Sequence, residues 1–526
     1  MNGAVAQLAP LTLLIALLVL SWDILLAGWM AARREAPRVF TQLTSICGLL
    51  VAPALVVAIA SGTEDGARTV SGIAWLLPVV CGCFVLQVLY ALLVGLVSPV
   101  VAVPILLYDV VVTAVATGDF LAGWRGDAPL ALQSAVAARD VIVGITVGRA
   151  SLVTPLAVLV PMVAPAYPAR WRLSALARAV LVLAATAVTT LLVIEWPRGV
   201  AAVRSYDRAL SVPMQARPAG DFALGMRLLP ELSGAPNARA VAADLALADV
   251  FEPDLVLLVL DDDATRTSAL DSIARVLDVV RADSTRIAVA LHHGRDPAPA
   301  DAPSRAAALE RVLLRLRPDV LFPAIGDPVP SVLPTPSPSV SWWRVLLQTT
   351  RAVRDRVRPA TTIGLALSHL DARDSALYAL ATRSGSGVGV IGAVVFPSFS
   401  GMPGVDARLR AIDRWHAREV QRVVQEAARN GQRDDGASPT HWVLNAGGLP
   451  HAHGDAAQLA AIRQTLAWAS RRSWVTAAII GEPADYDGGL GIRAANGRIR
   501  RAWPALSAAA KAMREVRVGS ARSASR

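Results

Sequence analysis

Two hydropathy patterns divide the chain. Up to about residue 195, apolar positions run nearly unbroken over long stretches; beyond it they come in short runs separated by helix-period segments. The long runs are 10–31, 43–60, 73–95, 99–118, 141–164 and 176–195. A helix needs roughly 20 apolar residues to cross a bilayer, so these predict an α-helical transmembrane bundle of six spans within 1–197. Ser98-Pro99 joins the third and fourth as a hairpin. The first run lacks a preceding basic residue and ends in Ala31-Ala32-Arg33-Arg34, unlike a cleaved leader. Arg33, Arg34 and Arg38 follow it, and Arg170, Arg172 and Arg178 lie between the fifth and sixth runs. Arginine in short loops marks the cytoplasmic side. The expected protein is therefore multi-pass in the cytoplasmic (inner) membrane, with the lipid bilayer as a partner and the C-terminal half outside the cytoplasm. Asp23, Asp109 and Arg149 fall inside the runs. Charges at that depth mark either a polar path or an interhelical ion pair.

After a linker at 198–214 the pattern changes. Eight β-rich runs occupy 222–229, 255–260, 286–291, 320–325, 362–367, 390–396, 441–444 and 475–480. They are nearly continuous in apolar residues, as in parallel strands buried on both faces. Helix-period stretches such as Ala306–Leu316 and Ala407–Ala428 lie between them. Eight strand–helix units is the number that closes an α/β (β/α)₈ TIM barrel, here over 215–516 with a basic tail at 517–526. Such barrels carry their chemistry at the C-terminal strand ends.

Those ends are polar. Strand two runs into Asp261-Asp262-Asp263, strand three into His292-His293, strand four into Gly326-Asp327-Pro328 and strand five into Ser368-His369. Strand six gives Phe396-Pro397-Ser398-Phe399 and strand seven Asn445, then His451 and His453. Strand eight gives Gly481-Glu482, then Asp485-Tyr486-Asp487. Acids and histidines around one opening can hold and move protons. Each also has a plainer role: Asp261–Asp263 as a helix cap, His292-His293 as a structural pair, Asp327 as a turn residue, Asn445 as a loop tether. No ligand spacing typical of a metal site is present, and no cofactor is expected.

Composition narrows the classes. The chain is 54% hydrophobic with mean hydropathy +0.47 and net charge +10. Lys511 is the only lysine, and the arginines are spread along helices without a nucleic-acid recognition module. The three cysteines, Cys47, Cys81 and Cys83, all precede the barrel, so no disulfide framework reports its compartment.

The run Tyr486-Asp-Gly-Gly-Leu-Gly-Ile-Arg-Ala-Ala-Asn-Gly-Arg-Ile-Arg-Arg-Ala-Trp503, with Pro318-Asp319-Val320 before strand four, resembles the glycoside hydrolases of the large (β/α)₈ clan. In that clan glutamates after strands four and seven catalyse. The resemblance implies a glycosidase-like barrel acting on, or binding, a cell-envelope or secreted polysaccharide or oligosaccharide. Polysaccharide synthesis or export machinery is a further expected partner. The chain departs from the pattern at both catalytic positions. Gly326-Asp327-Pro328 stands where Asn-Glu is expected, and Asn445 stands at or next to the strand-seven glutamate. An amide cannot act as the glycosyl nucleophile. The expectation is thus a glycan-binding pseudoenzyme. The alternative is a divergent glycosidase or transglycosylase with Asp327 as general acid and Glu482 or Asp485 as the second carboxylate. Asp261, Asp263, His292, His293, His369, Phe399, Asn445, Tyr486 and Asp487 are the expected substrate contacts. A transport protein with an accessory barrel is a further alternative, resting on Asp23, Asp109 and Arg149.

Overall fold

A computed structural model describes residues 76–125 and 161–164, isolated positions between 183 and 217, and much of 220–524. Within that last range it leaves out 230–237, 282–284, 294–301, 327–337, 369, 371, 384, 396–401, 431–437, 449, 482, 484–490 and 495–496. The chain divides into two compact units, one of Met1–Arg208 with Ser398–Gly404 and Leu449–Ala457, the other of Ala209–Pro397, Val405–Gly448 and Gln458–Arg526.

In the first unit, helices α1 (Leu77–Leu93) and α2 (Pro99–Arg125) flank Gly95–Ser98. Val88, Ala91, Ala102, Ile105 and Ala164 share one apolar core, and Cys81, Val112 and Ala116 another. Among the described residues, no helix is long and apolar enough to cross a membrane. The expected six-span bundle is corrected accordingly. The 17 residues of α1 extend about 25 Å, short of a roughly 30 Å hydrocarbon core. In α2 the apolar run is interrupted by Pro104 and by Asp109, which is fully buried and accepts the Met162 N–H at 2.8 Å. Apolar side chains such as Val88, Ala91, Ala102 and Ile105 pack helix on helix, which hydropathy alone does not distinguish from lipid contact, while Val100, Leu107 and Val111 of α2 are exposed. The multi-pass localisation, the bilayer as partner and the extracytoplasmic barrel all rested on counting six spans, and they fall with it. Runs 10–31 and 43–60, and most of 141–164 and 176–195, lie outside the described residues, as do Asp23 and Arg149. The transport alternative keeps only Asp109, which holds a backbone amide.

The second unit is a closed barrel of eight parallel strands in sequence order, β8 pairing back onto β1. Its elements are β1 (Ala223–Arg227), α3 (Ala238–Phe251), β2 (Leu255–Leu260), α4 (Thr267–Arg281), β3 (Arg286–His292), α5 (Ala302–Leu316), β4 (Val320–Ile325) and α6 (Val340–Val357). Then follow β5 (Thr362–Leu367), α7 (Ala372–Ala381), β6 (Val390–Val395), α8 (Met402–Asn430), β7 (Thr440–Ala446), α9 (Pro450–Ser470), β8 (Val475–Ile480) and α10 (Ala502–Ala524). Alternate residues of the strands point inward and build one core, including Ala223, Leu257, Ala290, Phe322, Ala366, Trp442 and Ile479. Large and small residues interlock there. The Phe322 ring fills the space beside Gly364 and Leu444 the space beside Gly392, so a Cβ at either glycine would overlap its neighbour.

The N-terminal end of the barrel is fastened by a repeated device. Pro253-Asp254 precedes β2 and Pro318-Asp319 precedes β4, each after a residue in the left-handed region, Glu252 (φ 48) and Arg317 (φ 46). Asp254 accepts the Leu224 N–H at 2.9 Å and Asp319 the Ile287 N–H at 2.8 Å. Thr285 and Thr361 donate to the carbonyls of Pro253 and Pro318 at 3.1 and 2.8 Å. The Pro318-Asp319 run thus braces backbone, as its counterpart two strands earlier does. Arg517 from α10 clamps Asp254 at 2.5 and 2.8 Å. Arg217 is buried and donates to the carbonyls of Ala469, Ser470, Arg472, Ser473 and Val475 around the end of α9.

Candidate functional site

The opposite end is built differently. Inward alternation along β1 runs Ala223, Gly225, Arg227; along β2 it reaches Asp261, along β3 His292 and along β5 Ser368. Leu260 is in register with Leu291, so Asp261 and His292 follow side by side on neighbouring strands. Asn445 joins this set through a register shift between β6 and β7 that pairs it with Val394. Its Oδ1 lies over Gly481, where a Cβ would overlap it. A polar set thus caps an apolar core.

Asp261 is half-buried, and its Oδ1 accepts the Ala264 N–H at 2.8 Å. Burial pushes its carboxyl above the ordinary carboxylate range; Asp263 and Asp262 add to this, while the Ala264 N–H and His292 oppose it. The capping role and the mouth position therefore coexist in one residue. Asp263 is exposed and pairs with Arg266 at 2.6 Å on the rim. His292 is half-buried and stacks on His293 with ring centroids 6.0 Å apart. His293 turns outward instead. It is buried against Trp342 of α6 at 6.2 Å, and the Arg305 guanidinium, 5.6 Å over that Trp342 ring, donates to the carbonyls of His292 and Pro323. Of the histidine pair, His292 faces the opening and His293 holds the wall. Ser368 Oγ accepts the Gly326 N–H at 3.0 Å. Arg408 of α8 donates to the carbonyls of Ser368 and Val394 at 3.4 and 3.2 Å, its guanidinium lowered by burial and partly restored by Asp374.

Asp327, His369, Phe399, Glu482, Asp485, Tyr486 and Asp487 lie outside the described residues, and so do the side chains of His451 and His453. The remaining expected contacts gather at the mouth, except that His293 faces away from it. Arg227, 3% exposed, is the residue sequence reasoning passed over. The signal was present: a charge at the third inward position of an otherwise apolar strand.

The two histidines not assigned to the mouth form a cluster toward the opposite end. Tyr378 Oη is 2.8 Å from His441 Nε2 and 3.4 Å from His416 Nδ1, and Trp474 stacks on His416 at 4.1 Å. Burial, assisted by His416, holds the His441 imidazole down to about 3, and burial lowers His416 and raises Tyr378. Among the described residues no group of three or more His, Cys, Asp or Glu is arranged to hold a metal ion.

The architecture is that of a (β/α)₈ barrel. No protein-family model matches the chain, and no curated protein matches it. Solved structures similar to it include an endo-β-1,4-glucanase from Xanthomonas axonopodis pv. citri, with 11% identity, 55% of this chain and 99% of that one covered, and TM-score 0.38. The GH53 catalytic domain of Ignisphaera aggregans is similar at 14% identity over 57% and 98% of the two chains, TM-score 0.38. A β-glucuronidase from Ruminococcus gnavus is similar at 9% identity over 55% of this chain, TM-score 0.37, and the match spans half of that enzyme. At these values the likeness carries no chemistry across.

Proposed function

We propose that the C-terminal mouth of the barrel binds a polysaccharide or oligosaccharide without the retaining double displacement. The observation that supports this most directly is Asn445. It is fully buried at the end of β7 with its amide oxygen inside the barrel over Gly481, where the family resembled in the sequence expects a carboxylate. Retaining chemistry needs two carboxyls about 5 Å apart, one of them a nucleophile, and an amide cannot take that part. Hydrogen-bonding side chains on strand ends, Asp261, His292, Ser368 and Asn445, suit a ligand made of hydroxyls held on a rigid scaffold. His369, Phe399, Tyr486 and Asp487 are the further proposed contacts, with Asp263 on the rim.

A divergent hydrolase is the second reading, favoured by one observation. Burial raises the Asp261 carboxyl, so the mouth holds a group that keeps a proton more firmly than an ordinary carboxyl beside the proposed catalytic acids. In this reading Asp327 is the general acid and Glu482 or Asp485 the second carboxylate, with Asp261 as a substrate contact. The test is calorimetric titration of the full chain with plant and bacterial oligosaccharides, alongside hydrolysis of aryl-glycosides. Binding without turnover is expected, and Asn445→Glu should change affinity or create turnover. Efficient native cleavage abolished by Asp327→Asn would establish the hydrolase. No binding to any glycan would remove the carbohydrate reading.

A further inference from the structure

We infer that the cluster of Tyr378, His416 and His441 is an acid-sensitive latch: near neutral pH it fixes α8 against β7, and proton uptake releases α8 and loosens the mouth through Arg408. The latch stands independently of the carbohydrate reading above.

One phenol O–H serves two imidazoles. Tyr378 Oη of α7 lies 2.8 Å from His441 Nε2 of β7 and 3.4 Å from His416 Nδ1 of α8. With both rings neutral, Tyr378 donates to one and accepts from the other. One added proton still leaves the Tyr378 hydrogen an acceptor. Two do not: both rings then donate toward Tyr378, and two cations stand with ring centroids 5.4 Å apart. Burial lowers His416; Asp413 and Glu419 of α8 oppose it. Both acids are already committed, Asp413 to Arg472 at 2.6 and 2.7 Å and Glu419 to Arg422 at 3.0 Å, with Arg383 also acting on Glu419. Burial and then Glu419 raise Tyr378, which stays protonated. His441 is 6% exposed; burial and His416 hold it down to about 3 against the Trp474 carbonyl, which favours the proton. A cavity of about 10 Å³, room for one water, adjoins the cluster between Tyr378, Ile412, His441, Trp442 and Trp468. Water therefore has a place to enter when the cluster loosens.

Position gives the latch its reach. Trp415 is the last buried residue of α8 among those described, and from Ala417 to Glu426 only Glu419 and Arg422 are half-buried. The cluster sits where α8 leaves the barrel, at the turn from which local opening of the helix starts. Arg408 lies two helical turns earlier, about 12 Å along the axis, and ties β5 to β6 through the carbonyls of Ser368 and Val394. A released α8 carries histidines of the ordinary value, 6.5, whereas the latched form holds both lower. Release therefore gains up to about tenfold per pH unit from each histidine as pH falls below 6.5.

The test is hydrogen exchange of the full chain at pH 7.5 and 5.0, corrected for the intrinsic pH dependence of amide exchange. Protection of α8 amides from Val405 to Glu426 is expected to fall at least tenfold at pH 5.0, while α4 and α5, across the barrel, stay within twofold. Unchanged α8 protection, or an equal fall in α4 and α5, overturns the latch. The Gly326 N–H, held by Ser368 Oγ, reports the mouth. It should lose protection together with α8; a Gly326 amide that keeps its protection while α8 opens overturns the coupling through Arg408. His416→Gln combined with His441→Gln should abolish the pH response, and a response that persists in the folded double variant removes the histidines from the role. Should that variant fail to fold, Tyr378→Phe decides: it takes away the bridging hydroxyl, so α8 protection should already be lower at pH 7.5, and native protection there would sink the latch.

Discussion

The two ends of the barrel spend their polar residues differently. At the N-terminal end charged side chains are turned onto backbone: Asp254 and Asp319 onto strand amides, Arg217 onto five carbonyls, Arg517 onto Asp254 and the Phe222 carbonyl. At the C-terminal end Asp261 and Ser368 accept backbone amides too, but they lie with Arg227 and His292 on the inward alternation, and glycines at 326 and 481 replace side chains that would crowd Ser368 and Asn445. In barrels of this class one end serves stability and the other chemistry. The contrast predicts that substitutions at the first end cost stability and leave binding intact, whereas those at the second do the reverse.

The largest expected effect is at Arg217. Arg217→Met leaves the carbonyls at the end of α9 without their common donor, although the apolar stem remains. Breaking one side of a buried charged network costs roughly 3–5 kcal/mol. Urea denaturation should show that loss, while glycan affinity measured on the remaining folded protein should stay within twofold of native. A change under about 1 kcal/mol would mean that water replaces Arg217 readily and the brace is nominal.

Next comes the buried histidine cluster. His441 holds its imidazole down to about 3, below the ordinary 6.5, so the unfolded chain takes up a proton before the folded one does. Its stabilising contribution is complete above about pH 6.5 and is lost as pH falls toward 3, at up to about 1.4 kcal/mol per pH unit. His416 is lowered also and acts in the same direction. Denaturation at pH 7.5 and 5.0 should therefore show a loss for the native chain that is smaller in His441→Gln. Equal losses in both would place the acid sensitivity elsewhere.

How much of this was legible in the sequence follows from the physics of each signal. Strands β2, β4, β5 and β8 begin and end where the apolar runs do, because a parallel strand covered on both faces has no polar positions to blur its edges. The membrane bundle was misread because α1 and α2 are apolar enough to look lipid-facing, yet share protein cores at Val88 and Ala102. Asp261 and His292 were found because they follow their strands. Arg227 lies inside its strand and was absorbed into an apolar run; only the alternation set by Ala223 marks it as inward. Pro318-Asp319 looked like the approach to a catalytic loop, and Pro253-Asp254 shows it to be a backbone brace.

At the mouth, Gly481→Ala should cost less stability and more function. The added methyl overlaps Asn445 Oδ1, so the amide must swing away. Overpacking of this kind costs about 1–3 kcal/mol. Glycan affinity should fall at least tenfold, and Asn445→Ala in the same chain should recover stability without recovering binding. Simultaneous recovery of both would mean that Asn445 packs against the wall without meeting ligand.

The smallest stability change is expected at Asp261, and it separates the two ends most cleanly. Asp261→Asn keeps the local bond, because an amide oxygen can accept the Ala264 N–H as the carboxylate does. What the substitution removes is a charge that burial disfavours. A carboxyl whose folded value is raised opposes folding above that value, and the opposition fades as pH falls through it. Solvent at this half-buried site screens the charge, so the change should lie within about 0.5 kcal/mol of native, on the stabilising side at pH 7. Binding or turnover should nonetheless drop, since Asp261 stands beside His292 at the opening. Thermal denaturation and glycan titration of one variant read both quantities. A clear destabilisation would make Asp261 a helix cap and no more, and the mouth would lose its acid.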